Sequence, residues 1–197
     1  MLETSRLTTK GEPAQAGGRR YTGTAQALHW LIAPLIFLMV VIAWVMENMP
    51  NSAPLRDTLF VLHKSIGLTL LLLVAFRLAW RATHPAPPLP GTLGRVEAGL
   101  AHASHALLYL VMLGMPISGY LLTYAGGFPV EFFWLFKVPD LVPRDPGLAA
   151  AATWVHLAIG QWLLYALVLL HVAATVFHVA IRRDGLLARM LPPQQFE

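Results

Sequence analysis

The segment from about Ala149 to Ile181 is almost wholly Leu, Ala and Val, yet it carries His156, His171 and His178. A run of this length can cross a ~30 Å hydrocarbon core as a helix. An ionisable residue inside such a span is costly, and its default meaning is functional. His156 and His171 are fifteen positions apart. On an α-helix that is ~22 Å of rise and ~60° of azimuth. The two imidazoles therefore share one broad face at two depths. Each can hold one group, and the two groups would be stacked across a bilayer.

The remainder of the chain is equally apolar. Of 197 residues, 56% are hydrophobic and 12% charged, with a mean hydropathy of +0.59, whereas a soluble domain carries about 25% charged residues. The net charge of +4 could suggest nucleic acid. The basic residues, however, lie at the edges of apolar runs and not along a soluble face, so the partner they imply is the lipid bilayer. There is no cysteine. Disulfides, thiolate metal sites, iron–sulfur clusters and covalent haem attachment are therefore excluded, and any metal or haem must be held by His, Met or carboxylate.

Residues 1–21 are polar and read as a flexible tail without signal-peptide character, so the first span is expected to be retained. Four spans follow, at about Ala25–Met46, Leu59–Trp80, Ala98–Tyr124 and Ala149–Ile181, which together place one four-span membrane domain at residues 22–191, with residues 192–197 as a short tail. Glu47 to Asp57 is a loop, and Pro85 to Gly91 an extended Pro-rich linker. Pro116 is expected to kink the third span, which membrane helices tolerate. The longest loop, Ala125 to Pro146, concentrates Phe128, Phe132, Phe133, Trp134 and Phe136 around Lys137. Such a cluster suits the membrane–water interface; it reads as a short surface helix or hairpin, or as a plain loop with hydrophobic anchors. The expected class is an all-α, integral-membrane four-helix bundle.

Ten of the 14 Lys and Arg residues fall on the side of the termini and of the second connection; Arg56, Lys64, Lys137 and Arg144 fall on the other. The positive-inside rule then puts both termini in the cytoplasm. With that orientation His29 and His171 lie in the inner half of the membrane, and His63 and His156 in the outer half. Gly67 and Gly160 each follow an outer histidine by four positions, on the same helix face, where a flat macrocycle needs close approach to a backbone. Two depth-matched histidine pairs on facing helices suit bis-imidazole ligation of two haem irons inside a bundle. Two alternatives stand beside it. Zinc prefers four ligands clustered at one depth. A His-lined proton or transport path usually also carries Asp or Glu, and no carboxylate lies inside any of the four spans as bounded here.

The segments Ala27-Leu28-His29-Trp30-Leu31, Leu62-His63-Lys64-Ser65-Ile66-Gly67, Arg77-Leu78-Ala79-Trp80-Arg81, Pro116-Ile117-Ser118-Gly119-Tyr120, Leu170-His171 with His178, and Asp184 to Met190 together resemble the bacterial cytochrome b561 family. The resemblance covers about Tyr21 to Leu191. It implies a four-helix protein of the bacterial inner membrane with two b-type haems that exchanges electrons with the quinone pool, at least one member type being a superoxide oxidase. It also implies similarity to the cytochrome b subunits of nickel hydrogenases and formate dehydrogenases. Carried onto matching positions, the inner haem would be held by His29 and His171 and the outer by His63 and His156. His105 and Tyr109 would contact an inner haem propionate or a quinone, and Arg77 and Arg81 would pair with propionates. His102 and His178 read as interfacial polar residues. One departure is that the family usually separates the two span-four ligands by fourteen residues, not fifteen. The extra residue calls for a small twist or a local π-bulge.

Three functions follow. The first is electron transfer between an outer-face donor, superoxide being one version, and quinone. The second is a non-catalytic anchor subunit of a larger oxidoreductase, with the aromatic loop docking a partner. The third is a haem-free metal-binding or transport protein.

Overall fold

A computed structural model describes residues 20–91 and 93–192; most of the expected N-terminal tail and residues 193–197 lie outside the described residues. Four helices are long and apolar enough to cross a membrane. They are α1 (Gly23–Asn48), α2 (Pro54–Thr83), α3 (Arg95–Ala125) and a fourth span, Pro146–Arg182. Each begins at a recognisable start signal. The Thr22 hydroxyl caps α1, and the Asp145 carboxylate accepts the N–H groups of Gly147 and Leu148 at 2.8 and 3.0 Å. Glu97 reaches back to accept the Gly94 N–H at 3.0 Å. Pro54 and Pro146 occupy first-turn positions of their helices, where a missing N–H costs nothing. The α2 helix stops at His84, just before Pro85.

The helices are longer than hydropathy alone suggests. Glu47 lies in the last turn of α1, Arg56 and Asp57 in the first turns of α2, and Glu97 in the first turn of α3. The sequence bounds stop where composition turns polar, but backbone hydrogen bonding continues into the interface. Carboxylates therefore do occur within the spanning helices, at their ends. Pro34 and Pro116 lie inside α1 and α3, and both helices run through them.

The α1 helix packs on α2, α2 on α3, and α3 on the fourth span. Ile32, Ile42, Ile66, Leu70 and Val74 fill the first seam, and Leu108, Val111 and Leu167 fill the last. Outward faces stay apolar: Trp44, Leu72, Leu110 and Leu169 are all exposed. A helix apolar all round is expected when its outer solvent is lipid. In that solvent burial of apolar area no longer drives helices together, and close packing and polar contacts hold them instead.

The fourth span is not a uniform α-helix. The helix α4 (Pro146–Thr153) passes into a π-helical turn, Trp154–Gly160, then into α5 (Gln161–Phe177), and ends in a second π-helical stretch, His178–Arg182. Of the small twist or π-bulge expected from the fifteen-residue spacing, the π-bulge is present, and His156 sits inside it.

The long loop forms a small hairpin. Strand β1 (Glu131–Phe132) pairs antiparallel with β2 (Phe136–Lys137). Phe133 and Trp134 turn it with left-handed φ angles of 46° and 59°. Ser65 and Lys64 of α2 tether it, the Ser65 hydroxyl lying 3.2 Å from the Glu131 carbonyl as well. The Phe133 N–H donates to the fully buried Ser65 hydroxyl at 2.7 Å, and Lys64 Nζ donates to the Pro129 carbonyl at 3.1 Å.

At the end that carries both termini, the 3₁₀ turn Leu187–Met190 closes back on the start of α1. Buried Gln26 donates to the carbonyls of Arg189 and Leu191, Trp30 Nε1 donates to Met190, and Arg189 reaches the Pro88 carbonyl at 2.7 Å.

Candidate functional site

Two histidine pairs form inside the bundle. His63 of α2 faces His156 of the π-helical turn with ring centroids 6.2 Å apart and ring planes at 75°. His29 of α1 faces His171 of α5 at the same 6.2 Å, with planes at 69°. The four residues paired from depth along the sequence are therefore brought together in those pairs.

The spacing can be tested against a metal. Metal–imidazole bonds are about 2.0 Å, so two rings bound on opposite sides of one ion have centroids about 6.2 Å apart, allowing ~1.1 Å from ring centre to nitrogen. Both pairs meet that condition. The rings of each pair meet edge to face, neither hydrogen-bonded to one another nor stacked. Among the described residues no cluster of three or more His, Asp or Glu converges as a metal site, whereas tetrahedral zinc takes four ligands at one point. A four-donor macrocycle such as haem supplies the remaining ligands itself, so two histidines suffice.

The surroundings of His156 fit the same use. Its Nδ1 lies 2.9 Å from the Met115 carbonyl and 3.1 Å from the Ser118 hydroxyl, both on α3. A bond to a carbonyl puts the proton on Nδ1 and leaves Nε2 as the ring's free lone pair. Gly119 lies directly beneath the ring: a Cβ there would stand 3.0 Å from His156 Cε1. His63 Nδ1 is buried without a hydrogen-bond partner among the described residues. A cavity of about 330 Å³ adjoins both rings and is lined by Met39, Gly67, Met112, Met115, Gly119 and Leu164 among others. Gly67 faces this cavity as expected. Gly160 does not: it packs on α3, where a Cβ would run into Met115. The glycine that admits close approach beside His156 is Gly119 instead, because the π turn rotates Gly160 away from its α-helical direction.

Residues 20–193 match the family model described as prokaryotic cytochrome b561. The chain belongs to the prokaryotic cytochrome b561 family. It is similar to "Cytochrome b561 homolog 2" of Escherichia coli (strain K12), with 32% identity over 173 residues, covering 87% of this chain and 91% of the relative. It is also similar to "Probable superoxide oxidase CybB" of Yersinia pestis, 27% identical over 179 residues, covering 90% and 98%. "Cytochrome b562" of Cereibacter sphaeroides is 30% identical over 181 residues, covering 88% and 96%. Membership makes this chain a multi-pass protein of the bacterial inner membrane and an electron-transfer cytochrome that binds haem b.

In this cytochrome the other candidate residues gather around the His29–His171 pair. The His105 ring lies 5.4 Å from that of His171, its Nδ1 bound to the Ala101 carbonyl at 2.6 Å. Arg77 donates to Tyr109 Oη at 3.1 Å and to the Ala25 carbonyl, and the Arg81 guanidinium lies 5.8 Å over the Tyr109 ring. A small recess between them is bounded by Tyr21, Ala25, Trp80 and His84. His102 and His178 stand apart. His102 is exposed and bonds its own turn at Ala98, and His178 pairs with Asp184 at 2.5 Å. Burial raises the Asp184 pKa, but the His178 hydrogen bond, the Leu186 N–H and the nearby cations outweigh it, and the carboxyl is held below its ordinary value.

Several site residues escaped the sequence reading. His84 stacks on Trp80 with ring centroids 4.0 Å apart. Glu47, Gln161 and Tyr165 line the cavity beside His63 and His156. Met115 acts through its backbone, so no side-chain pattern could have found it. Gly119 and Ser118 lay within a segment already singled out; the missing information was which helix they faced.

Proposed function

We propose that this cytochrome carries electrons between a donor at the outer face and the quinone pool, using two b-type haems. His29 and His171 would hold the inner haem, His63 and His156 the outer, with both termini in the cytoplasm. The observation that carries this reading is the equal 6.2 Å centroid spacing of two independent histidine pairs on three helices. When bound, two such haems supply one-electron transfer across the bilayer.

The chain's own residues do the rest. Met115 and Ser118 orient His156. Arg77 and Arg81 would serve as charge-assisted partners for propionates of an inner haem, with Tyr109 and His105 beside them. The cavity wall is mostly apolar, and in a low-dielectric setting each nearby charge counts more. Superoxide is the donor favoured by similarity to the Yersinia protein. Lys64, adjacent to His63 and tethered beneath the hairpin, provides local positive charge at the outer site. That attraction is local only. The outer side carries four cations and five acids, Glu47, Asp57, Glu131, Asp140 and Asp145.

A reduced-minus-oxidised spectrum of haem-replete membranes tests the cofactor, and quinone reduction by purified protein on addition of superoxide tests the reaction. Absence of b-type bands would return the chain to a haem-free reading. A second function is favoured by one feature: the hairpin tip exposes Trp134, Leu135 and Phe136. As an anchor subunit the protein would bind haem but stay inert to superoxide until joined by a partner at that tip.

A further inference from the structure

The π-helical turn Trp154–Gly160 interrupts an otherwise regular apolar helix and contains His156. No proline causes it. Gly160 is its one poor helix former, about 1 kcal/mol below Ala, which weakens an α-helix there without dictating i→i+5 bonds upstream of it. Its cause has to be sought in what it places. In an uninterrupted α-helix His156 and His171 would be ~60° apart in azimuth. A π turn closes i→i+5 hydrogen bonds and winds roughly 18° less per residue, so the four steps from His156 to Gly160 reduce the offset to ~12°. The Gln161 N–H donating to the His156 carbonyl is such a bond. The turn thus brings the two histidines of this span onto one line.

The same turn seats His156 on α3. The Met115 carbonyl and the Ser118 hydroxyl hold its Nδ1, Gly119 leaves room beneath its ring, and Gly160 lets the turn lie against Met115. Side chains at positions 119 and 160 would both obstruct this seat.

We infer that the π turn is a register device: it unwinds the helix between His156 and His171 and delivers His156 to its seat on Met115, Ser118 and Gly119, opposite His63. These are positioning residues, acting on the ligand and not on substrate. The inference rests on the reading that the two histidine pairs hold haems.

A register device makes a prediction that a mere irregularity does not. Deleting one residue from the turn after His156 lets it close into α-helix, leaving the two histidines ~40° apart on one face. Deleting one residue from α5 while the turn persists leaves them ~110° apart. The full-length protein is expressed haem-replete in membranes as wild type, ΔIle159, ΔLeu167, Gly119→Ala and His156→Ala. Haem per protein is measured by pyridine haemochrome, and each haem by redox titration and low-temperature EPR.

The expected result is retention of both haems in ΔIle159, with a changed outer low-spin signal, and loss of one in ΔLeu167. Gly119→Ala is expected to keep both haems, to shift the outer midpoint potential and EPR signal, and to leave the inner ones unchanged. A purely structural glycine would alter protein yield and not one haem's signature. Loss of the outer haem in ΔIle159 as complete as in His156→Ala, or an outer signal unmoved in Gly119→Ala, would overturn the inference while leaving the two-haem reading intact. Wild-type membranes without two b-type signals would overturn both.

Discussion

The Nδ1 of His156 lies 2.9 Å from the backbone carbonyl of Met115, on a neighbouring helix. This contact orients the imidazole toward His63, 6.2 Å away between ring centroids, and ties the least regular stretch of the fourth span to the least variable part of α3, its main chain. The orientation of His156 is therefore set by a main-chain acceptor and so depends on how the helices pack, with the Met115 side chain lying against the same turn at Gly160.

The four histidines should behave as two separable pairs. His29→Ala and His171→Ala are each expected to lose the inner haem, and His63→Ala and His156→Ala the outer one, halving the haem-to-protein ratio in every case. Haemochrome assay and paired redox titrations read this directly. Two full-strength signals in any one variant would assign that ligand elsewhere.

Tyr109→Phe tests the cluster around the inner pair. It leaves Arg77 Nε without its phenol partner in a half-buried setting. Loss of a hydrogen bond to a charged group costs about 1.5–3 kcal/mol. The expected outcome is a thermal midpoint several degrees lower together with a shifted inner midpoint potential. Unchanged potential would remove Tyr109 and Arg77 from the electrostatics of that site.

The His178–Asp184 pair predicts an acid-side weakness. A carboxyl whose pKa is lower folded than unfolded contributes stability that is present above its unfolded value and lost as pH falls through the folded one. With an unfolded Asp near ~3.9, that contribution is intact at neutral pH and disappears below about pH 4. In thermal melts from pH 7 to pH 3, Asp184→Asn should be less stable than wild type at neutral pH, with the difference shrinking below pH 4. A constant gap across the range would contradict the linkage.

Ser65 holds the hairpin to α2. Ser65→Ala leaves the Phe133 N–H without its acceptor, and an orphaned buried donor costs about 1–3 kcal/mol. Faster amide exchange at Phe133 and the neighbouring turn is expected, with the helices unaffected. Exchange unaltered there would mean that Lys64 and Pro129 alone secure the hairpin.

If superoxide approaches beside His63, Lys64→Gln should lower the bimolecular rate several-fold and flatten its dependence on ionic strength. Haem content should stay at wild-type level. A rate and salt dependence equal to wild type would place the donor's approach elsewhere.

Much of this molecule is legible in one dimension. Hydropathy locates four spans because membrane insertion depends on composition over a ~20-residue window, whatever the neighbours are. Counting from span ends pairs His29 with His171 and His63 with His156, since depth is a single coordinate and helical rise is constant. The fifteen-residue spacing, set against the family's fourteen, calls for a small twist or a π-bulge, and the structure has the π turn. Azimuth is different. It accumulates error with every residue, and a local change of winding redirects all side chains within it, which is why Gly160 faces α3 and Gly119 lies under His156. The bond from His156 to a backbone carbonyl, the joining of Gln26 to Arg189 across most of the chain, and the entry of Glu47, Gln161 and Tyr165 into the cavity depend on which helix stands beside which. That is decided by packing between segments distant in sequence, and only the tertiary structure contains it.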